Sequence, residues 1–243
     1  MKNYTINYIV ALYFGPRMSK KHNELLSKSP FYLLDEHLSF LKDCNTNITQ
    51  VTFVINGEKP DGFLERIENN LPNYVKVKVV ERKNQGFSYG GWNDVIVQCL
   101  EDNSNFDYYF IIEDDYVPTV NNFYEPFVEK CTNENPFVCG LIGHIPRQHP
   151  AISNGLLQNK ACKHVYEQCK NVFVGLCVTP GDSYSEAWST QINFMDNFTS
   201  LGFTFNDIID KYCSPFHSSY TDVVVYFGDT NNPILITSIL TKY

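Results

Sequence analysis

The first half of the chain repeats one pattern: a short apolar run, a turn, a helical stretch, and another apolar run. Residues 9–14 (Ile-Val-Ala-Leu-Tyr-Phe) stop at Gly15-Pro16, and residues 51–55 (Val-Thr-Phe-Val-Ile) stop at Asn56-Gly57. Residues 75–80 and the run Tyr-Tyr-Phe-Ile-Ile at 108–112 are the third and fourth. Between them, Leu33, Leu34, His37, Leu38 and Leu41 recur at helical spacing, Pro60 opens a short helix through Phe63, Leu64 and Ile67, and residues 88–100 read as a helix carrying Trp92, Val95, Ile96 and Cys99. Runs this apolar need cover on both faces, and strands separated by helices can run parallel. The expected fold is α/β, a mainly parallel central sheet flanked by helices. After Val120 the pattern loosens into a helix near 123–131, a strand at 137–142 and a mixed stretch over about 144–181. No internal repeat or low-complexity linker breaks the 243 residues, so one domain is expected over 1–243.

Charge and cysteine usage narrow the function classes. The chain carries 19 basic against 27 acidic side chains, a formal charge of −8, with no lysine or arginine block. Nucleic acid and anionic lipid are therefore poor partners, since binding them needs clustered cations. The eight cysteines are scattered without a C-x-x-C pair, which favours reduced thiols over disulfides or zinc. The apolar stretch near the N-terminus is far short of the ~20 residues of a membrane span and has no small-residue cleavage site. It reads as a first strand, the sequons at Asn3, Asn47 and Asn197 read as incidental, and a soluble cytoplasmic protein is expected.

Ligands of open parallel sheets bind at the carboxyl ends of the strands, which singles out 15–17, Asn56-Gly57, 82–84 and 113–115. The strongest local signal is Glu113-Asp114-Asp115, straight after a buried strand and before Tyr-Val-Pro118. Three adjacent carboxylates repel one another there unless a cation neutralises them. A hard divalent ion, Mn2+ or Mg2+, does so while keeping positions open for phosphate oxygens and water. The second signal is Asn84-Gln-Gly86-Phe-Ser88-Tyr-Gly90-Gly91-Trp92, which leads from a strand into a helix whose first N–H groups can face an anion. It is neither a Walker loop nor a G-x-G-x-x-G turn. No Ser-His-Asp order and no H-E-x-x-H supports a hydrolase or a zinc enzyme.

Together the two segments resemble the glycosyltransferase A-type (GT-A) fold of the nucleotide-diphospho-sugar transferases, over about residues 6–145. The segment beginning at Asn84 is similar to the Asn-x-Gly-x-Asp-Phe-Gly-Gly-Trp form of rhamnan-type and related polysaccharide glycosyltransferases, with Ser88 where that form has an acid. The resemblance implies a sugar moved from a nucleoside-diphosphate donor, UDP-linked by first expectation, to a glycan or other hydroxyl acceptor. It implies a donor half at about 1–120 and an acceptor half at about 121–243. Glu113 and Asp114 fall where the family contacts the ribose and supports the metal site, and Asp115 where it binds the ion bridging the diphosphate. Tyr13 to Arg17 match the nucleoside-holding segment, and Asn84, Gly86, Ser88, Gly90 and Gly91 line the donor. Arg17 is either a diphosphate ligand or a surface arginine, and Asn56 either reads the uracil edge or merely caps a strand turn.

An inverting transfer also needs a carboxylate to take the acceptor proton. Asp222 is the first expectation for that base, with Glu186 and then Asp182 as rivals. His144, His149 and His217 are candidates for acceptor contacts, and His217 also for a metal shell, although a lone histidine is more often structural or exposed. Two other functions stay open: a catalytically silent sugar- or nucleotide-binding domain of this fold, and a sugar-nucleotide pyrophosphorylase. The Gly-x-Gly-x-Arg segment of the latter is missing from Tyr-Phe-Gly-Pro-Arg17.

Overall fold

The four apolar runs become four parallel strands: β1 (Ile6–Leu12), β2 (Ile48–Asn56), β3 (Lys76–Arg82) and β4 (Tyr108–Glu113). The computed structural model describes residues 4–17, 20–43, 47–71, 75–140, 154–174, 193–207 and 236–238. Three further strands, β6 (Phe137–Cys139), β7 (Asn154–Gln158) and β8 (Phe205–Asp207), extend the sheet to the order β3-β2-β1-β4-β7-β6-β8. Within it only β7 runs antiparallel to its neighbours. The short β5 (Tyr116–Pro118) leaves the main sheet and pairs with β9 (Ile236–Ser238).

The helices are α1 (Lys20–Lys28), α2 (Tyr32–Lys42), α3 (Phe63–Asn70), α4 (Phe87–Glu101), α5 (Glu125–Lys130), α6 (Asn159–Cys169) and α7 (Asp196–Ser200). Alternation along the strands sends their side chains to two separate cores. One face puts Tyr8, Val10, Phe53, Ile55, Phe110 and Ile112 against Leu34, Leu38 and Leu41 of α2 and Phe63 and Ile67 of α3. The other puts Ile9, Ala11, Val54, Tyr109 and Ile111 against Trp92, Val95 and Ile96 of α4 and Cys162 and Val165 of α6. Phe123 closes the first core edge-on to Phe110, with ring centres 4.7 Å apart. Every residue of β1 is buried, as a strand covered on both faces requires.

The expected strand and helix alternation is present, with strand ends shifted by a few residues. Leu64, expected on the inner face of its helix, is 48% exposed, because Phe63 and Ile67 lie one turn apart and turn it outward. Cys99, Cys131, Cys139, Cys162 and Cys169 are free thiols, as expected, and Cys44, Cys177 and Cys213 lie outside the described residues. Among the described residues no helix is long and apolar enough to cross a membrane.

This order fixes where a ligand can sit. From β1 the chain moves outward through β2 to β3 and then returns to place β4 on the other side of β1. The crevice of such a reversal opens at the carboxyl ends of β1 and β4, which are Leu12 and Glu113.

Candidate functional site

The three acidic residues after β4 divide between different surroundings. Asp114, 4% exposed, turns toward α2. Its Oδ2 accepts from the Tyr13 N–H at 2.9 Å and from Arg17 Nη2 at 2.5 Å, and Arg17 Nη2 also reaches the Tyr13 carbonyl at 3.1 Å. The turn after β1 is thus bound to the end of β4 by a nearly dry ion pair and a backbone bond. From α1, Asn23 completes the clamp by exchanging 2.6 Å bonds with both the N–H and the carbonyl of Arg17.

Behind Asp114 lies a buried relay. His37 Nε2 is 3.1 Å from the Asp114 carbonyl, and His37 Nδ1 is 3.1 Å from the Tyr8 hydroxyl. Burial pushes His37 down to about 4, with Asp114 working weakly against it, so the ring is neutral at physiological pH. A carbonyl only accepts, so Nε2 carries the proton and Nδ1 accepts from Tyr8. A cavity of about 530 Å3 opens on this side, between α1, α2 and the residues 12–16, with Asp114 in its wall.

Glu113 turns the other way, toward α4, where its Oε1 accepts from Ser88 Oγ at 2.9 Å. A serine where the resembled motif has an acid therefore gives this carboxylate a donor instead of a third negative neighbour. The start of α4 has no side-chain cap, and its N-cap Gly86 has φ +71°, a left-handed conformation suited to glycine. Gly90 is needed for close approach: a Cβ there would lie 2.1 Å from the Gln85 carbonyl oxygen. Trp92 is a core residue, wholly buried and edge-on to Tyr89 at 5.2 Å.

Asp115 has no cation within ion-pair distance among the described residues. Burial pushes its carboxyl up to about 8, Glu113 and Asp114 add to the rise, and Arg17 opposes it. A divalent cation fits this donor chemistry. Among the described residues no three acidic, histidine or cysteine side chains converge into a closed metal cage. An ion at Asp115 would be held by that one carboxylate, with ligand oxygens and water in its other positions, as in magnesium-type sites on phosphates.

The expected donor residues Tyr13, Arg17, Asn56, Asn84, Gly86, Ser88, Gly90, Gly91, Glu113, Asp114 and Asp115 all lie at or just after the carboxyl ends of β1 to β4, in the turn entering α4, or in the first residues of α4. Arg17 is not a freely exposed arginine, since its side chain is 16% exposed and paired. Asp114 presents its carboxylate to Arg17 and Tyr13 and so holds that turn. Asp222, Glu186, Asp182, His144, His149 and His217 lie outside the described residues. Sequence reasoning missed Asn23 and His37 as supports, and Arg82, which bonds Asn56, Asp94 and the Gln85 carbonyl. The signal for Arg82 was its place at the end of the third apolar run.

Structural comparison shows which fold this sheet shares. The mannosyltransferase PcManGT from Pyrobaculum calidifontis, solved with GDP-Man and Mn2+, aligns at TM-score 0.52 and 12% identity, over 85% of this chain and 55% of that one. A protein from Desulfovibrio desulfuricans G20 described as a nucleotide-diphospho-sugar transferase aligns at TM-score 0.52 and 7% identity, over 84% and 79%. The chain has a GT-A-like fold. In sequence, no protein-family model and no curated protein matches it. A cytidylyltransferase from Leptospira borgpetersenii aligns at TM-score 0.48 and 13% identity, over 84% and 75%. The chain spans just over half the length of the mannosyltransferase.

Proposed function

We propose that the chain is a metal-dependent glycosyltransferase that moves a sugar from a nucleoside-diphosphate donor, UDP-linked by preference, to a hydroxyl of a glycan or other acceptor. The observation that carries this reading is Asp115: a half-buried carboxylate without an ion-pair partner among the described residues, beside two others, at the crevice of a GT-A-like sheet. The Mn2+ and GDP-Man bound by the Pyrobaculum calidifontis mannosyltransferase support the same reading.

In this account Asp115 holds Mn2+ or Mg2+, with Glu113 facing the ribose. The ion supplies charge stabilisation for the leaving diphosphate, which is worth most as the sugar bond breaks. Asp114 and Arg17 keep the Tyr13–Arg17 turn in the shape that cradles the nucleoside. The uncapped first turn of α4, entered through Asn84 and Gly86, offers N–H groups to phosphate oxygens. Residues 1–120 hold the donor and 121–243 the acceptor, with inversion at the anomeric carbon and Asp222 as base, Glu186 next.

A panel of UDP- and GDP-sugars incubated with Mn2+ tests this. Metal-stimulated release of the nucleoside diphosphate is expected, by transfer or slow hydrolysis. Asp222→Asn is expected to lower turnover by about 10²–10⁴-fold, the usual contribution of a general base, with donor affinity nearly unchanged. A wild-type rate in that variant moves the base to Glu186. Metal-dependent binding with no release from any donor makes the chain a silent binding domain.

A further inference from the structure

The register of the main sheet stops one residue short of the peptide that leads into Asp115. The β1–β4 pairing ends at Ala11 and Glu113, the β4–β7 pairing at Ile112 and Asn154, and β5 starts only at Tyr116. Asp114 and Asp115 form the turn between. The bond that reaches the Asp114 carbonyl there comes from a side chain, His37 Nε2 at 3.1 Å.

His37 is an unusual residue for its position. It is wholly buried in the stripe of α2 that otherwise holds Leu33, Leu34, Leu38 and Leu41. A fifth leucine would leave no polar atom to satisfy, whereas a buried imidazole needs a partner for each nitrogen. Both are supplied, by the Tyr8 hydroxyl on Nδ1 and the Asp114 carbonyl on Nε2. One turn earlier on the same face, Leu33 packs on Val117 of β5. The helix therefore grips the chain on both sides of Asp115, by a hydrogen bond at 114 and by packing at 117.

We infer that His37 is a positioning residue for the cation site: its Nε2–H fixes the Asp114–Asp115 peptide plane and, through it, the direction in which Asp115 presents its carboxylate. This deepens the reading of Asp115 as the cation ligand and rests on it. The link is one rigid unit. The carbonyl that accepts from His37 shares a plane with the N–H and Cα of Asp115, so a tilt of that carbonyl swings the Cα that carries the carboxylate. Groups that hold a metal ligand from behind typically change metal affinity by about 10–100-fold when removed. The Asp114 side chain is held separately, by the Tyr13 N–H and Arg17, so the turn after β1 keeps its own anchor when the His37 bond is lost.

Titration of the full chain with Mn2+ at fixed, excess UDP, following the electron paramagnetic resonance of the free ion, tests this. His37→Leu combined with Tyr8→Phe removes the bond without stranding the Tyr8 hydroxyl, and its Mn2+ dissociation constant is expected to rise about 10–100-fold. His37→Gln places an amide N–H where Nε2–H was and is expected to recover most of that loss. His37→Asn is too short to reach the carbonyl and is expected to bind Mn2+ as weakly as the double variant; should the double variant not fold, the Gln–Asn pair decides alone. Leu41→Ala, one turn further along the buried stripe of α2, is expected to lower Tm and leave the Mn2+ constant unchanged, which separates positioning from a general loosening of the helix. Folded His37 variants that bind Mn2+ as the wild type does, or a Leu41→Ala variant that weakens Mn2+ as much as they do, overturn the inference. If the wild-type chain binds no Mn2+, or Asp115→Asn binds it equally well, the reading of Asp115 itself falls, and the inference with it.

Discussion

Asp115→Asn is expected to abolish metal-dependent nucleotide binding while making the protein more stable near neutral pH. The two effects have one cause. In the folded chain the Asp115 carboxyl is raised from 3.8 to about 8, first by burial and then by Glu113 and Asp114. The unfolded chain releases this proton near 3.8, so between there and about 8 the folded state holds the extra proton. Stability is then fully present below the lower value and drains away as pH rises through the upper one. Asparagine removes that loss. After allowing for solvent at a half-buried carboxyl, the gain at pH 8 is expected to be on the order of 2 kcal/mol, or about 4–8 °C in Tm. Thermal unfolding between pH 5 and 8 reads it directly: the wild-type slope flattens in the variant. A variant with the wild-type slope, or with intact Mn2+-dependent binding, contradicts this role for Asp115.

Asp114→Ala is expected to act in the opposite direction. It strips Arg17 of its only ion-pair partner among the described residues and leaves the Tyr13 N–H without an acceptor. Removing one member of a buried ion pair exposes the cost of desolvating the other, about 3–5 kcal/mol in comparable cases. Chemical denaturation measures it. The turn at residues 13–17 loses its anchor as well, so nucleotide binding is expected to weaken even where the variant is folded. Asp114→Asn retains an acceptor oxygen and separates the two contributions: a smaller stability loss with the turn still held. An Asp114→Ala variant within about 1 kcal/mol of wild type, well below the scale for a buried pair, shows that Arg17 and Tyr13 are satisfied by other groups.

What was legible in the sequence was whatever depends on local pattern. β1, β2 and β4 are buried on both faces and so appear as nearly continuous apolar runs, and the acidic triplet ends the last of them. The start of α4 was legible through its glycines. The helix α1 was not, because its sequence KKHNELLSK has only Leu25 and Leu26 to bury and marks no apolar face. The antiparallel β7 was hidden for a similar reason: NGLLQ is short and holds a glycine, which the structure needs because a Cβ at Gly155 would lie 2.7 Å from the Phe137 ring. Most distant from sequence were the pairings that shape the site. Arg17 meets Asp114 from 97 residues away and Arg82 meets Asn56 from 26, and both meetings depend on strand order and register. That is why the contacts by which Asp114 holds the turn after β1 could not be read from its place in the acidic triplet.

The central claim is that a divalent cation on Asp115 joins a nucleoside diphosphate to the carboxyl end of this sheet. Isothermal titration of the wild-type chain with UDP, in the presence and absence of Mn2+, tests it most directly. Binding that requires the metal, with heat lost on adding a chelator, is the predicted result. Equal UDP binding with and without Mn2+, or none in either, contradicts it.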